Sequence, residues 1–260
     1  TPNKQETHDH EGKLDEGHVS RITDGVVSLF RHGVRGGEIC PRPKILPDAY
    51  CSTPRSCRDT PRAVCVDRLG PPCVVYSFGI NYQWDFDDFA HGFGCEVHSF
   101  DPGMKYKHQR AQRHYFEAVG IGNTVGTHDG PSTLYSRKTG YQVETLQHIM
   151  ARLKHTFVDL LRLDVEHAEW DVLEGLPFDK IGQLSIELHM WHRPFAYYAG
   201  VLARIPMTHT ATFQNTDRAN KRTMTEIWPN ITRVYEMTFV GNKVGRQHPR
   251  GDADTRRNDF

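Results

Sequence analysis

Alternating apolar and polar stretches predict a regular succession of strands and helices from residue 73 onward. The first apolar run, residues 74–78, stops at Gly79, and the next, residues 97–100, stops at Asp101. An acidic helical segment separates the two runs, as in a βαβ unit that receives a nucleoside. We therefore predict a cofactor site where these strands end, with Gly79 in the turn and Asp101 on the ribose hydroxyls.

The same patterning continues to residue 240 and predicts one α/β domain. Predicted strands cover residues 115–119, 157–163, 184–188, 210–213 and 234–240, and predicted helices cover residues 143–153, 168–176 and 195–205. Pro177 should end the second of these helices. Residues 102–114 are basic and only partly helical in pattern, and a short amphipathic helix is predicted over residues 22–31.

Composition divides the chain into four segments. Residues 1–18 are polar and predict a flexible stalk, and residues 19–72 carry Pro and Cys without periodicity, which predicts a cap on the fold. Residues 73–242 form the predicted catalytic domain, followed by a polar tail at 243–260.

The charge balance argues against one class of partner. The chain has 260 residues, 37% of them hydrophobic, with 32 basic and 32 acidic side chains. A net charge of zero gives no overall field to attract nucleic acid, and no basic stretch with interleaved aromatics is present. We expect no nucleic-acid partner.

All six cysteines lie in the first 95 residues: Cys40, Cys51, Cys57, Cys65, Cys73 and Cys95. An even, clustered set predicts disulfides, and no CxxC pair suggests zinc. Cys73 and Cys95 each precede the end of a neighbouring parallel strand by the same number of residues, so we predict that they are joined. The other four cysteines leave three pairings open.

Disulfides predict a Golgi or other secretory-pathway lumen, or secretion. The sequon Asn230-Ile231-Thr232 agrees with a glycoprotein in such a compartment. Residue 1 is Thr, so we expect a signal or anchor to precede it, and membrane contact only through such an anchor.

The turn chemistry indicates which cofactor binds. A dinucleotide loop needs several glycines to approach a pyrophosphate, but only Gly79 is present here. Asp85, Asp87 and Asp88 at the start of the next helix would repel a phosphate. S-adenosylmethionine carries no phosphate and has a ribose diol and a cationic sulfonium, so these residues indicate a methyltransferase.

The stretch LRLDVEHAEWDVLEGL, with IELHMW, VYSFGI and FDP, resembles the FkbM-type S-adenosylmethionine-dependent methyltransferases, particularly their animal secretory-pathway relatives. The resemblance covers about residues 73–240. It implies a class I (Rossmann-like) fold: a mostly parallel, seven-stranded sheet with an antiparallel last strand. It also implies O-methylation of a sugar or similar hydroxyl. His167 stands where that family usually has glycine, and Arg162 lies near the usual lysine.

Candidate site residues follow from the strand ends, because open α/β sheets bind ligands there. Predicted cofactor contacts are Tyr76, Ser77, Phe78, Gly79, Asn81, Asp101, Pro102, Gly120 and Asp164. Asp164, His167 and His189 are the predicted catalytic residues, with either histidine as the base that deprotonates the acceptor hydroxyl.

The acceptor is predicted to contact Glu187, Trp191, His192 and Arg193, because sugars pack on aromatic rings and bond to charged groups. Asp164 and Glu187 are also candidate ligands for Mg²⁺ or Mn²⁺. The alternative is that these carboxylates bind the methionyl ammonium or loop amides.

These features predict an O-methyltransferase acting on a carbohydrate or glycoconjugate. Two alternatives stay open: a small-molecule or protein methyltransferase, and an inactive binding module in which His167 blocks the pocket.

Overall fold

A computed structural model describes residues 26, 30, 37–46, 62–128, 140–190, 193–216 and 234–242. The predicted stalk and tail, the sequon, Trp191 and His192 lie outside these ranges. Val26 and Phe30 are helical and buried, within the helix predicted over residues 22–31.

Thirteen strands and four α-helices are formed by the described residues. The strands are β1 (Pro43–Leu46), β2 (Arg62–Cys65), β3 (Val74–Phe78), β4 (Glu96–Phe100), β5 (Gln109–Ala111), β6 (His114–Glu117), β7 (Gly120–Ile121), β8 (Gly126–His128), β9 (Tyr141–Glu144), β10 (Val158–Leu163), β11 (Ile181–His189), β12 (His209–Thr216) and β13 (Val234–Gly241). The helices are α1 (Asp85–Gly92), α2 (Leu146–Arg152), α3 (Glu169–Gly175) and α4 (Phe195–Leu202). Short 3-10 turns cover Val66–Arg68, Phe178–Lys180 and Ile205–Met207.

The main sheet has eight strands in the order β12-β13-β11-β10-β3-β4-β6-β5. Strands β6, β4, β3, β10 and β11 are parallel, and β13 runs antiparallel to both β11 and β12. The chain moves outward from β3 to β6 and then returns to β10 on the other side of β3. The crevice between the ends of β3 and β10 is therefore the switch point where such sheets bind ligands.

The two faces of the sheet differ in polarity. One face is apolar and includes Tyr76, Phe78, Leu161, Leu184 and Phe239, all buried in the main core. The opposite face carries a row of buried polar residues aligned by strand register across five strands, which we call the polar row: Ser99, Ser77, Arg162, Ser185 and Thr238.

Buried polar groups need partners, and those of the polar row have them. Ser77 and Ser99 donate to Asp87 of α1, and Ser185 donates to Glu236 at 3.0 Å. Burial raises the pKa of Asp87 to about 6.

The β1–β2 hairpin covers the part of the polar row that lies on β11 and β13. Thr238 donates to the carbonyl of Ala63 at 2.8 Å, and the Gln183 amide exchanges two hydrogen bonds with the backbone of Cys65. A Cys40–Cys65 disulfide links this hairpin to the preceding segment. The hairpin is thus part of the packed structure.

The predicted disulfide between Cys73 and Cys95 is confirmed, with a Cα separation of 4.5 Å. Val74 pairs with Glu96 in the register of β3 and β4, so the two cysteines lie side by side just before their strands. Of the remaining cysteines, Cys51 and Cys57 lie outside the described residues.

Several predicted elements differ from the structure. The helix predicted over residues 143–153 divides into β9 and α2, because the Thr145 hydroxyl accepts from the His148 amide and caps the helix start. Residues 102–114 contain β5 and no helix, and this short strand brings the sheet to eight strands instead of the predicted seven. No helix in the described part of the chain is long and apolar enough to cross a membrane.

Candidate functional site

Gly79 forms the turn after β3, as predicted, and the structure explains why glycine is needed there. Its φ is +82°, and a Cβ at this position would overlap the backbone carbonyl of Asp164. Its amide donates to the carbonyl of Phe100 at 2.9 Å. The glycine therefore allows the ends of β3, β4 and β10 to meet closely at the switch point.

Asp101 lies at the end of β4 and is 2% exposed. Its two carboxylate oxygens accept from the amides of Asn81 at 2.8 Å and Gly103 at 2.7 Å. Each oxygen keeps a second lone pair, so the Asp101 carboxylate can still accept hydrogen bonds from ribose hydroxyls. Asp101 also fixes the loop after Gly79, where Asn81 and Tyr82 have left-handed φ angles of 44° and 65°.

The side chains of Tyr76, Ser77 and Phe78, which were predicted as cofactor contacts, belong to the protein interior. All three are at most 1% exposed. Phe78 stacks on Phe100 with ring centroids 4.5 Å apart, and Ser77 donates to Asp87. These side chains stabilise the sheet beneath the site.

Gly120 is buried behind Pro102 and Tyr141, since a Cβ there would lie 3.4 Å from the Pro102 ring and 3.2 Å from the Tyr141 ring. The turn that follows it borders two cavities, both lined by Gly122 and Asn123. The larger, about 390 Å³, extends between α2 and α3, and its size lies within the range of small-molecule sites.

The smaller cavity, about 150 Å³, reaches Ala168 and Asp171 at the start of α3. Neither cavity is lined by Gly79 or Asp101. The lining residues of these two cavities therefore include the turn after Gly120 but do not extend to Asp101.

A buried group of charges lies at the carboxyl ends of β10 and β11, which we call the carboxylate cluster: Asp164, Glu187 and Glu236 with Arg62 and Arg162. Asp164 Oδ2 accepts from Arg62 at 2.8 Å and from Arg162 at 2.7 Å. Arg62 also lies 3.5 Å from both Glu187 and Glu236. Arg162 donates to the carbonyls of Phe78 and Gly79, which joins the cluster to the turn.

The pKa values of the three carboxyl groups are shifted in different directions. Burial alone would raise the pKa of Asp164, but Arg162 and Arg62 outweigh it and hold that pKa low. Burial and the neighbouring Asp164 charge raise the pKa of Glu187 well above its ordinary value. Burial also raises the pKa of Glu236 to about 7. The two arginines thus favour the carboxylate form of Asp164, whereas burial and the Asp164 charge favour the neutral form of Glu187.

These residues do not fit the divalent ion predicted at Asp164 and Glu187. Ligand atoms of Asp164, Glu187 and His189 lie within 4.8 Å of one another. However, two arginines already neutralise Asp164, and guanidinium groups stay charged. Burial and the Asp164 charge raise the pKa of Glu187, which opposes the deprotonated form that a metal ligand needs, and His189 Nδ1 already contacts Glu169 at 3.0 Å.

His189 is buried and tightly bound to Glu169, which corrects its assignment as a general base. Its backbone amide and Nδ1 lie 2.7 and 3.0 Å from Glu169 Oε1. Burial alone would lower the pKa of His189, but the Glu169 carboxylate outweighs burial and raises it to about 10. The ring is therefore an imidazolium at neutral pH and has no lone pair with which to accept a proton.

His167 follows Asp164 in the loop before α3 and is half-buried. Its φ is +84° and that of Glu166 is +50°. His167 therefore has a left-handed backbone conformation, which glycine favours, and the FkbM-type family that the sequence resembles usually has glycine here. Its ring lies 5.3 Å from that of His189. Of the two histidines predicted as the base, His167 stays a candidate.

The predicted acceptor residues are only partly described. Glu187 lies inside the carboxylate cluster, away from solvent. Arg193 is exposed, and its guanidinium lies 5.6 Å from the Tyr197 ring, whose hydroxyl donates to Glu174 at 3.2 Å. Trp170, which precedes this patch on α3, donates to the carbonyl of His189 and packs in the core.

Sequence reasoning missed Arg62, Glu236 and Glu169. Arg62 meets Asp164 across 102 residues, and Glu236 is opposite Glu187 only through the register of β13 with β11. Their sequence neighbourhoods carry no motif for this contact. Glu169 was visible in the DVEHAE stretch, but its burial beneath His189 depends on the packing of α3 on β11.

The strand order, the antiparallel β13 and the carboxylate at the end of β4 fit a class I methyltransferase fold. A family model described as a methyltransferase domain matches residues 45–241, and the chain belongs to that family. Such a domain implies use of S-adenosylmethionine.

Two curated relatives share the name "Probable methyltransferase-like protein 24". The Homo sapiens protein is 31% identical over 124 residues, which cover 45% of this chain and 33% of the relative. The Rattus norvegicus protein is 31% identical over 144 residues, covering 50% of this chain and 39% of the relative. The matched region is thus well under two thirds of either relative. No solved structure matches the chain.

Proposed function

We propose that this chain transfers the methyl group of S-adenosylmethionine to a hydroxyl of a carbohydrate acceptor, as FkbM-type enzymes are expected to do. The observation that carries the proposal is the convergence of Asp101 and His167 with the exposed Arg193 at one edge of the sheet. Each follows the carboxyl end of a parallel strand, β4, β10 or β11. The carboxyl edge of the sheet would thereby hold a carboxylate for the ribose, an imidazole and an acceptor surface.

The cofactor would supply an electrophilic methyl group. Asp101 would accept hydrogen bonds from the ribose hydroxyls, and the turn at Gly122 and Asn123 would border the adenine. His167 would take the proton of the acceptor hydroxyl onto a ring nitrogen as that oxygen attacks, since a histidine titrates near neutral pH. Transfer also requires the oxygen to be held about 3 to 3.5 Å from the methyl carbon.

The exposed patch of Arg193, Tyr197 and Glu174 supports a sugar acceptor. A sugar ring packs its apolar face on an aromatic ring, and charged groups bond to its hydroxyls. Tyr197 offers the ring, with Arg193 and Glu174 at its two sides. The Cys40–Cys65 and Cys73–Cys95 disulfides support a secretory-pathway lumen as the compartment.

Cofactor binding is tested first, by calorimetric titration with S-adenosylhomocysteine. Asp101→Asn should weaken binding by about 10- to 150-fold, the equivalent of roughly 1.5–3 kcal/mol for hydrogen bonds to a charged acceptor. Asp179→Asn is the matched control, because Asp179 is exposed near the opposite edge of the sheet. Equal affinities in the two variants would remove Asp101 from the site.

Acceptor class is tested next, with labelled S-adenosylmethionine and panels of glycans, proteins and small molecules. Methyl transfer to glycans that falls sharply in His167→Gln, with cofactor affinity unchanged, is the expected result. Transfer to proteins or small molecules alone would overturn the carbohydrate assignment. Cofactor binding without transfer to any panel would identify a binding module.

A further inference from the structure

A second cluster of metal-ligating side chains lies toward the amino edge of the sheet, away from the carboxylate cluster. It comprises Glu96 and His98 of β4 and His155 before β10. Glu96 begins β4 and Asp101 follows its end, so at about 3.3 Å per residue they are roughly 16 Å apart. The carboxylate cluster also lies at the carboxyl ends of the parallel strands, so the two clusters are separate sites.

The local sequence explains how these three residues meet. Glu96 and His98 are two residues apart on one strand, so their side chains share a face. Helix α2 ends at Arg152, and Lys154 then turns the chain with a φ of +61°. The His155 amide donates to the carbonyl of Met150 at 2.8 Å, which closes the turn and directs His155 back over the sheet.

Three potential ligand atoms converge in this cluster. His98 Nε2 lies 2.8 Å and His155 Nε2 lies 3.3 Å from the same oxygen, Glu96 Oε1. All the ligand atoms lie within 4.8 Å of one another. Tetrahedral zinc with bonds of about 2.0–2.1 Å has ligand atoms roughly 3.4 Å apart. Small side-chain adjustments would thus place all three around one ion.

We propose that Glu96, His98 and His155 bind one Zn²⁺ ion, with water in the fourth position. Two imidazoles and one carboxylate form a known zinc ligand set, and imidazole suits zinc better than it suits magnesium or calcium. The lack of a CxxC pair argues only against zinc held by cysteines. This ion would join the end of α2 to β4 and stabilise the fold, independently of methyl transfer.

A supporting residue lies behind one ligand. Tyr76 is fully buried, and its hydroxyl lies 2.7 Å from His155 Nδ1. Zinc-bound histidines usually donate their other ring N–H to such a partner, which fixes the tautomer and the ring orientation. Tyr76 therefore holds His155 with Nε2 directed toward Glu96.

One positive charge competes for the carboxylate. Arg113 Nε lies 3.7 Å from Glu96 Oε2, the oxygen that does not contact the histidines. The Arg113 side chain is 46% exposed, so it can turn into solvent when an ion binds. Oε1 remains directed into the cluster in either case.

Zinc binding to the full chain is measured by competition with a chromophoric chelator and by metal analysis after dialysis. The chain has 16 histidines, so the difference between variants decides the outcome. His155→Gln should lose one tight equivalent, whereas His148→Gln should keep it, because His148 is half exposed on α2 outside the cluster. Tyr76→Phe should keep the equivalent but bind it about 10- to 100-fold more weakly.

A second measurement uses the wild-type chain, so it does not depend on how well the variants fold. Crystals of the wild-type chain soaked in zinc chloride should show an anomalous peak between Glu96, His98 and His155. A peak elsewhere only, or equal zinc binding by wild type and His155→Gln, would overturn the site. Calorimetry with S-adenosylhomocysteine on His155→Gln keeps this test separate from the proposed function, since cofactor affinity should not change.

Discussion

Replacing Arg62 by Ala should destabilise the protein far more than the loss of an ordinary surface charge. The Arg62 side chain is 9% exposed and lies 2.8 Å from Asp164 and 3.5 Å from Glu187 and Glu236. Removing one partner of a buried ion pair leaves charge uncompensated and destabilises by about 3–5 kcal/mol. We expect a loss in that range at pH 8.

The loss should shrink in acid. Burial already raises the pKa of Glu236 to about 7, and without Arg62 the carboxyl pKa values in the folded state should rise further. A carboxyl whose folded-state pKa is raised above its unfolded value destabilises the fold increasingly as pH rises from the unfolded to the folded pKa, and this loss is absent below the unfolded pKa. The deficit of Arg62→Ala should therefore be smaller at pH 5.5 than at pH 8.

Urea unfolding under non-reducing conditions measures both effects, from the midpoint and slope at each pH. Arg42→Ala is the control, because Arg42 is 82% exposed and pairs with Asp67 at the surface. That change should alter stability by less than about 1 kcal/mol. If Arg62→Ala matched Arg42→Ala at pH 8, the carboxylate cluster would not depend on Arg62 and our reasoning would fail.

Three further outcomes are expected. His167→Gly should lower methyl transfer by about 10²- to 10⁴-fold, because the proton acceptor is lost. Its stability should be equal or raised, because glycine tolerates a φ of +84°. The control is Lys154→Gly, at a φ of +61°, which should relieve similar strain without affecting transfer. His189 has a folded-state pKa of about 10 against 6.5 in the unfolded chain, so its contribution to the stability of the fold is complete below pH 6.5 and is lost as pH rises toward 10. Across that pH range, the melting temperature of His189→Gln should therefore fall less than that of the wild type. Gly79→Ala should lower the free energy of unfolding, measured in urea, by more than about 1 kcal/mol. Gly140→Ala should lower it less, because Gly140 has a φ of +68° but open space around it.

Local patterns in the sequence were enough for the strand-turn-helix-strand unit around Gly79. There, the apolar runs end at the same residues as the strands of the structure, and the Cys73–Cys95 disulfide follows from strand register. The boundary at Thr145 was missed because apolar residues in β9 continue the helical spacing of α2. The pairing of β9 with β7 and β8 and the capping hydrogen bond between Thr145 and His148 separate the two elements.

The candidate site was predictable in residue type but not in protonation. His189 stands at a strand end, as a base would, but the buried Glu169 makes it an imidazolium. The partners of Asp164 come from β2 and from β10 itself, and Glu236 comes from the last strand. Contacts of this kind depend on which strands become neighbours, and no local periodicity encodes them.

The position of the β1–β2 hairpin affects where the domain can be cut. A truncated chain starting at Cys73 would retain the strands of the main sheet but would lose Arg62, the cover over Thr238 and both cysteines of the Cys40–Cys65 disulfide. Expression of such a fragment should yield aggregated or protease-sensitive material. The smallest independently folding unit therefore has to begin upstream of Cys40.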